Sequence, residues 1–202
     1  MEEKPNQIIE KVTPLFMRYG IRSVSMDDIS RELGISKKTL YQHFEDKTEL
    51  VKQALAKYLV GMGLQFKEIV SSKKNSIEML FEISQYLGKL LKDLNPSIIY
   101  DLQKYYPEVM GLLDEHKHKH VYNNVKANLI KGMEEGFYRK DLNPEIIAKL
   151  YVSRMDISVD PAVLNVEGHN LSEVYDELFR YHIRGIASKK GLEYFEKNLA
   201  KT

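Results

Sequence analysis

Apolar residues in this chain recur every three to four positions over most of its length, and no stretch shows the in-and-out alternation of a half-buried strand. A helix turns once in about 3.6 residues, so this spacing gathers the apolar side chains on one helical face. The pattern predicts an all-α fold. Its first instance is Ile8, Ile9, Val12, Leu15, Phe16 and Tyr19, ended by Gly20, a residue suited to the left-handed position after a helix. Pro14 falls inside this run. There it removes an amide donor and crowds the Glu10 carbonyl, a cost of about 3 kcal/mol in an unadapted helix. Two accommodations are open: a kink that leaves the apolar stripe packed, or a fresh start at a Thr13 cap with proline at the first helical position.

Local stop and start signals divide the chain after Gly20. Ser25 stands three residues before Asp28, a capping-box spacing that opens a helix carrying Ile29 and Leu33 inward until Gly34. Ser36 caps a third helix running through Phe44, in which Leu40 and Phe44 share a face and Lys37, Lys38, Thr39, Tyr41, Gln42 and His43 are left for the others. Asp46 with Glu49 forms another box, opening a helix through Leu50, Val51, Leu55, Tyr58 and Leu59 toward the polar residues 71 to 75. Two short helices around a glycine turn, the second presenting cations, are the layout of a helix-turn-helix.

That local cluster matters because the whole chain carries almost no net charge. Lys and Arg total 30 against 29 Asp and Glu, a formal charge of +1, so a polyanionic partner has to be met by a patch. With 202 residues, 43% of them hydrophobic, the chain suits one compact unit or two small ones. The absence of cysteine excludes disulfides, cysteine-ligated zinc and thiol catalysis. No nucleophile elbow, glycine-rich phosphate loop or zinc signature gathers Ser, His and Asp into a catalytic site, so an enzyme is not expected and neither is a cofactor. No apolar run approaches the roughly 20 residues that cross a bilayer, and the expected location is cytoplasmic.

The run IIEKVTPLFMRYGIRSVSMDDISRELGISKKTLYQHFEDKTELV resembles the amino-terminal domain of the TetR family of transcriptional regulators. The likeness lies in the glycine after helix one, DDIS opening helix two, the LGIS turn, the TLYQHF recognition helix and the lysine in the following cap, and it spans about residues 6 to 60. It implies a DNA-binding domain at 1–60 and a helical effector-binding and dimerisation domain at 61–202. It also implies phosphate anchors at Thr39, Tyr41, His43 and Lys47, with backbone amides at the Ser36 and Asp46 caps adding partial positive charge. Lys37, Lys38 and Gln42 have the donors for base edges, lysine toward guanine and glutamine toward adenine.

Beyond residue 60 the periodicity continues. Ser76 is read as the cap of a helix with a stripe of Leu80, Ile83, Leu87, Leu90, Leu91 and Leu94, punctuated by Asn95-Pro96. After Pro107 a long helical stretch reaches about Gly136, and Asn143 caps a helix with Pro144 in its first position. A last broad face holds Leu171, Val174, Tyr175, Leu178, Phe179, His182, Ile183 and Ile186, read as starting from a Ser172 cap. By the resemblance the last long helices pair with those of a second subunit, so Leu171, Tyr175, Leu178, Phe179, His182 and Ile186 are expected at a homodimer interface. Candidate effector contacts are Phe81, Tyr86, Tyr100, Tyr105, Tyr106, Met110 and Tyr122, for an apolar or aromatic small molecule. In HKHKH, His116 and His120 have the i, i+4 spacing that puts two imidazoles on one ion, though a third ligand would come from another helix; hydrogen-bonded half-buried histidines, or a cationic strip with Lys117 and Lys119, are the other readings. The expected function is a repressor that binds a palindromic operator as a homodimer and is released by an effector. Its alternatives are an architectural DNA-binding dimer without a ligand and a helical metal-binding protein.

Overall fold

The computed structural model describes residues 5–72, 74–92, 94–157 and 169–199. The helices are α1 Pro5–Tyr19, α2 Met26–Leu33, α3 Lys37–His43, α4 Lys47–Ser71, α5 Ser76–Lys92, α6 Ser97–Tyr105, α7 Pro107–Glu115, α8 Tyr122–Glu134, α9 Pro144–Ile157, α10 Leu171–Ile186 and α11 Lys189–Asn198, with a π-helical turn His116–Val121 between α7 and α8. Among the described residues the one β-type pairing is an isolated antiparallel bridge between Tyr138 and Ala187. The fold is all-α. Two compact units form, Met1–Gly63 with Asp93–Glu115, and Leu64–Lys92 with His116–Thr202.

The core of the first unit gathers Ile8, Ile9, Val12 and Phe16 of α1, Ile29 of α2, Leu40 of α3, Phe44, and Leu50 and Val51 of α4. Ile98, Leu102, Val109 and Met110 of α6 and α7 complete it. Helix α1 runs unbroken through Pro14, which lies exposed, and the Thr13 hydroxyl donates back to the Ile9 carbonyl at 2.8 Å, so there is no restart at Thr13. Tyr19 leaves the apolar stripe and is half exposed. The chain turns at Gly20, where φ is +85°. Helix α6, for which the sequence pattern gives no start signal, closes the end of α1. Asn95 donates from its backbone to the Met17 carbonyl at 2.9 Å and from its side chain to the Arg18 carbonyl at 3.1 Å, satisfying groups the helix end leaves open. The buried Asp101 accepts the Arg22 backbone N–H at 2.9 Å.

The second unit packs α5, α8, α9, α10 and α11 around Ile77, Leu80, Leu129, Tyr138, Ala148, Tyr151, Phe179, Ile183, Ile186 and Phe195. Three expectations from the sequence are corrected by this packing. Asn75, not Ser76, caps α5: its Oδ1 accepts the N–H groups of Ile77 and Glu78, both at 3.0 Å, while Ser76 is buried and its Oγ has no hydrogen-bond partner. The buried line of α5 is Ile77, Leu80, Ser84 and Gly88, with Ile83, Leu87, Leu90 and Leu91 only half buried, because small side chains let α10 approach closely enough for Ser172 to donate to the Gly88 carbonyl at 3.2 Å. Asn170, not Ser172, caps α10, in a reciprocal box with Glu173.

A buried polar knot fixes the start of α5. The Ser76 carbonyl accepts Asn128 Nδ2 at 2.9 Å and lies 3.1 Å from the Tyr138 hydroxyl, which is 2.9 Å from Asn128 Oδ1. Burial pushes the Tyr138 hydroxyl far above the ordinary tyrosine range.

Candidate nucleic-acid interface

Helix α2 starts at a complete capping box: Ser25 Oγ accepts the Asp28 N–H at 3.1 Å, and Asp28 Oδ2 accepts the Ser25 N–H at 3.0 Å. The Ser25 side-chain and backbone bonds hold the Asp28 carboxyl below its usual range. Gly34, at φ +67°, ends the helix, and the Ile35 N–H bonds to the Ser30 carbonyl at 3.0 Å, which sets the turn into α3.

Helix α3 is two-sided. Leu40 is fully buried and Phe44 closes its end, whereas Lys37, Lys38, Tyr41 and Gln42 are exposed. Ser36 Oγ accepts the Thr39 N–H at 3.0 Å and pairs with the Thr39 hydroxyl at 2.8 Å, so Thr39 is tied to its own cap. His43 is half buried against Phe44, and its Nε2 is enclosed with no hydrogen-bond partner. At the next helix Asp46 Oδ1 accepts the Glu49 N–H at 2.8 Å, but Glu49 returns to the Glu45 N–H at 2.6 Å, one residue earlier than a standard box.

Two cations of the predicted set are engaged by the protein itself. The Lys37 ammonium lies 2.7 Å from Asp27 Oδ1, which raises its pKa. Lys47 donates to the carbonyls of Ile21 at 2.7 Å and Arg22 at 3.4 Å; lost hydration lowers its pKa, with Asp101 and Asp28 opposing. Neither Asp27 nor Asp101 is singled out by the sequence pattern. For Asp27 a signal exists: DDIS supplies two acids at a helix start, and the box uses one. A helix carrying Lys38, Tyr41 and Gln42 outward from an anchored apolar face fits a major groove about 12 Å wide.

The remaining predicted residues scatter. Tyr100, Tyr105, Tyr106 and Met110 belong to the first unit and Phe81, Tyr86 and Tyr122 to the second. Tyr105 lies under the Arg22 guanidinium, 4.3 Å from its centroid, Tyr100 is exposed beside Lys104, and Met110 is core. Tyr86 meets Phe66 edge-on at 5.7 Å, while Phe81 packs on Phe179 and Phe195. Of the expected dimer residues, Phe179 and Ile186 are buried inside their own unit and offer nothing to a second chain. Tyr175, Leu178 and His182 are half buried, and the Leu171 side chain lies outside the described residues. His116 and His120 sit in the π-helical turn with ring centroids 5.3 Å apart. No third ligand joins them: among the described residues no group of three His, Asp or Glu side chains is placed to hold a metal ion. Among the same residues, no helix is long and apolar enough to cross a membrane.

The capped α2, the glycine turn and the one-sided α3 define a DNA-binding regulator of the helix-turn-helix class. Residues 8–54 match the family model of the bacterial regulatory proteins, tetR family. The chain is 22% identical over 166 residues to the transcriptional repressor KstR2 of Mycobacterium tuberculosis, covering 79% of this chain and 81% of that one. A transcriptional regulator from Saccharomonospora viridis, solved with choline, superposes with a TM-score of 0.71 at 18% identity over 92% of this chain and 98% of the other. FadR of Bacillus subtilis, solved with stearoyl-CoA, does so with a TM-score of 0.68 at 18% identity over 91% and 100%. At such identities the structural likeness is one of fold. Residues 8–54 thus resemble the DNA-binding domain of the TetR family, and the relatives this chain is similar to are transcriptional regulators.

Proposed function

We propose that the protein is a transcriptional repressor that binds a palindromic operator as a homodimer through residues 1–60 and leaves it when a small molecule occupies residues 61–202. The observation that carries this reading is the division of α3 into a buried Leu40 and an exposed row of Lys38, Tyr41 and Gln42. Lys38 and Gln42 read base edges. Tyr41 and the amides at the Ser36 and Asp46 caps hold phosphates, with Thr39 and His43 at the flank. Lys47 joins them by exchanging the carbonyls of Ile21 and Arg22 for a phosphate.

Exposed apolar residues support the dimer. Ile146 and Leu150 of α9 and Tyr181 of α10 are 56%, 61% and 78% exposed. The two helices are neighbours, with the rings of Tyr151 and His182 4.8 Å apart and Arg154 donating to the Leu178 carbonyl at 2.8 Å. A second copy covers this surface, and its two-fold axis sets reading helices in half-sites about 34 Å apart. The acyl chain in FadR and the half-buried Phe81 and Tyr122 support an apolar or aromatic effector. A tenfold loss of DNA affinity requires only about 1.4 kcal/mol of coupling.

Selection from random duplex DNA tests the reading, with a palindrome as the expected product. Enrichment of no shared sequence would reject an operator-binding role. Acyl-CoA thioesters and aromatic acids are then added to the selected complex, and at least one class is expected to lower affinity. A palindrome indifferent to every ligand supports the architectural alternative.

A further inference from the structure

The contact between Asp27 and Lys37 changes what the recognition helix is able to do. Lys37 occupies the first position of α3, where its charge meets the positive end of the helix and is disfavoured. Asp27 lies in the first turn of α2, beside the carboxylate that completes the Ser25 box, and it takes no part in that box. The ammonium and Asp27 Oδ1 are 2.7 Å apart, with the lysine side chain 54% and the aspartate side chain 58% exposed. Both side chains are therefore open to solvent on the helix-turn-helix. A lysine held in this way differs from its exposed neighbour Lys38, about 100° further round the helix.

Nonspecific attraction to DNA grows with each cation that displaces a counterion from a phosphate, whatever the sequence. A cation already paired within its own protein adds less to that attraction, because reaching a phosphate means giving up its partner. An acid near the backbone also repels phosphates in any misaligned register. Resting on the DNA-binding reading, we propose that Asp27 is a positioning residue that keeps Lys37 off the phosphates, lowering affinity for random DNA and leaving discrimination to Lys38, Tyr41 and Gln42. Asp27 acts through Lys37. Sequence selectivity in this protein is thus set partly by a side chain of α2 that contacts no base.

The test measures binding of the full chain to its selected duplex and to a scrambled duplex across a salt series. Asp27→Asn preserves size and removes the charge. It is expected to raise affinity for the scrambled duplex roughly five- to tenfold near 0.1 M salt, and to steepen the slope of log affinity against log salt by about 0.9, the value for one added phosphate contact. The ratio of selected to scrambled affinity should fall. Lys37→Ala alone should leave the slope unchanged, and Asp27→Asn with Lys37→Ala should lose most of the gain, which a general loosening of α2 would not produce. Slopes for Asp27→Asn equal to wild type overturn the proposal, as does a drop of about one unit from Lys37→Ala alone, which would place Lys37 on a phosphate. Failure of the wild-type chain to bind any duplex would instead overturn the DNA-binding reading, and this proposal with it.

Discussion

Gly132 has no side chain because the ring of Tyr138 lies where a Cβ would project. That ring cannot retreat, since its hydroxyl is held against Asn128 and the Ser76 carbonyl. Gly132→Ala is therefore expected to destabilise the second unit by about 1–3 kcal/mol, through overpacking. Gly111→Ala, at an exposed position of α7 with open space around its Cβ, is expected to stabilise by about 0.5–1 kcal/mol. Urea midpoints of the two variants separate these signs. A second residue-scale effect comes from His182, whose pKa is pushed down to about 3, first by burial and then by the Arg154 charge. In the unfolded chain a histidine titrates near 6.5, so between the two values the unfolded state binds a proton that the folded state does not. Stability then falls as pH drops below about 6.5 and is independent of this group above it. His182→Gln should flatten the decline of the urea midpoint between about pH 6.5 and 5, above the range where carboxylates titrate. Equal slopes for variant and wild type would remove His182 as the cause.

At the scale of the element, caps give the sharpest prediction. Asn75→Ala and Asn170→Ala should each cost about 1 kcal/mol. Ser76→Ala should be neutral or stabilising, because it removes a buried hydroxyl without a partner. Thermal midpoints of the three variants check the order. These positions also show that a cap is read from its partner three residues on, and not from the nearest serine. The start of α2 is legible because Ser25, unlike Ser23, has an acid three residues on, and that of α3 because Ser36 is the one cap-competent residue between Gly34 and the helix. At α5 and α10 two such residues stand close together, Asn75 with Ser76 and Asn170 with Ser172, and the glutamates three residues after each asparagine, Glu78 and Glu173, decide for the asparagines by closing capping boxes. The stripe on α5 misleads for a related reason. Hydrophobicity selects its leucines, but close approach of α10 selects Ser84 and Gly88. Helix α6 is short and lies between two prolines that read as punctuation. The exposed residues of α3 follow from local spacing, whereas the partners of Lys37 and Lys47 lie 10 and 25 or more positions away and need the tertiary fold.

For the molecule as a whole, assembly offers the clearest discrimination. Leu150→Glu places a charge on the exposed face of α9 and should yield a folded monomer. Phe179→Glu places one between Phe81 and Phe195, whose rings lie 6.2 and 6.0 Å from its own, and should unfold the second unit instead. Sedimentation velocity with circular dichroism distinguishes the two outcomes; a dimeric Leu150→Glu protein would move the interface elsewhere. The composition of the first unit carries a further consequence, for the order of events during synthesis. The recognition helix leaves the ribosome early, yet Ile98, Leu102, Val109 and Met110, which finish the core beneath it, are made later. At about 5–20 residues per second the roughly fifty residues from 64 to 115 take several seconds to translate, so each newborn chain passes through an interval in which its reading helix exists above an open core.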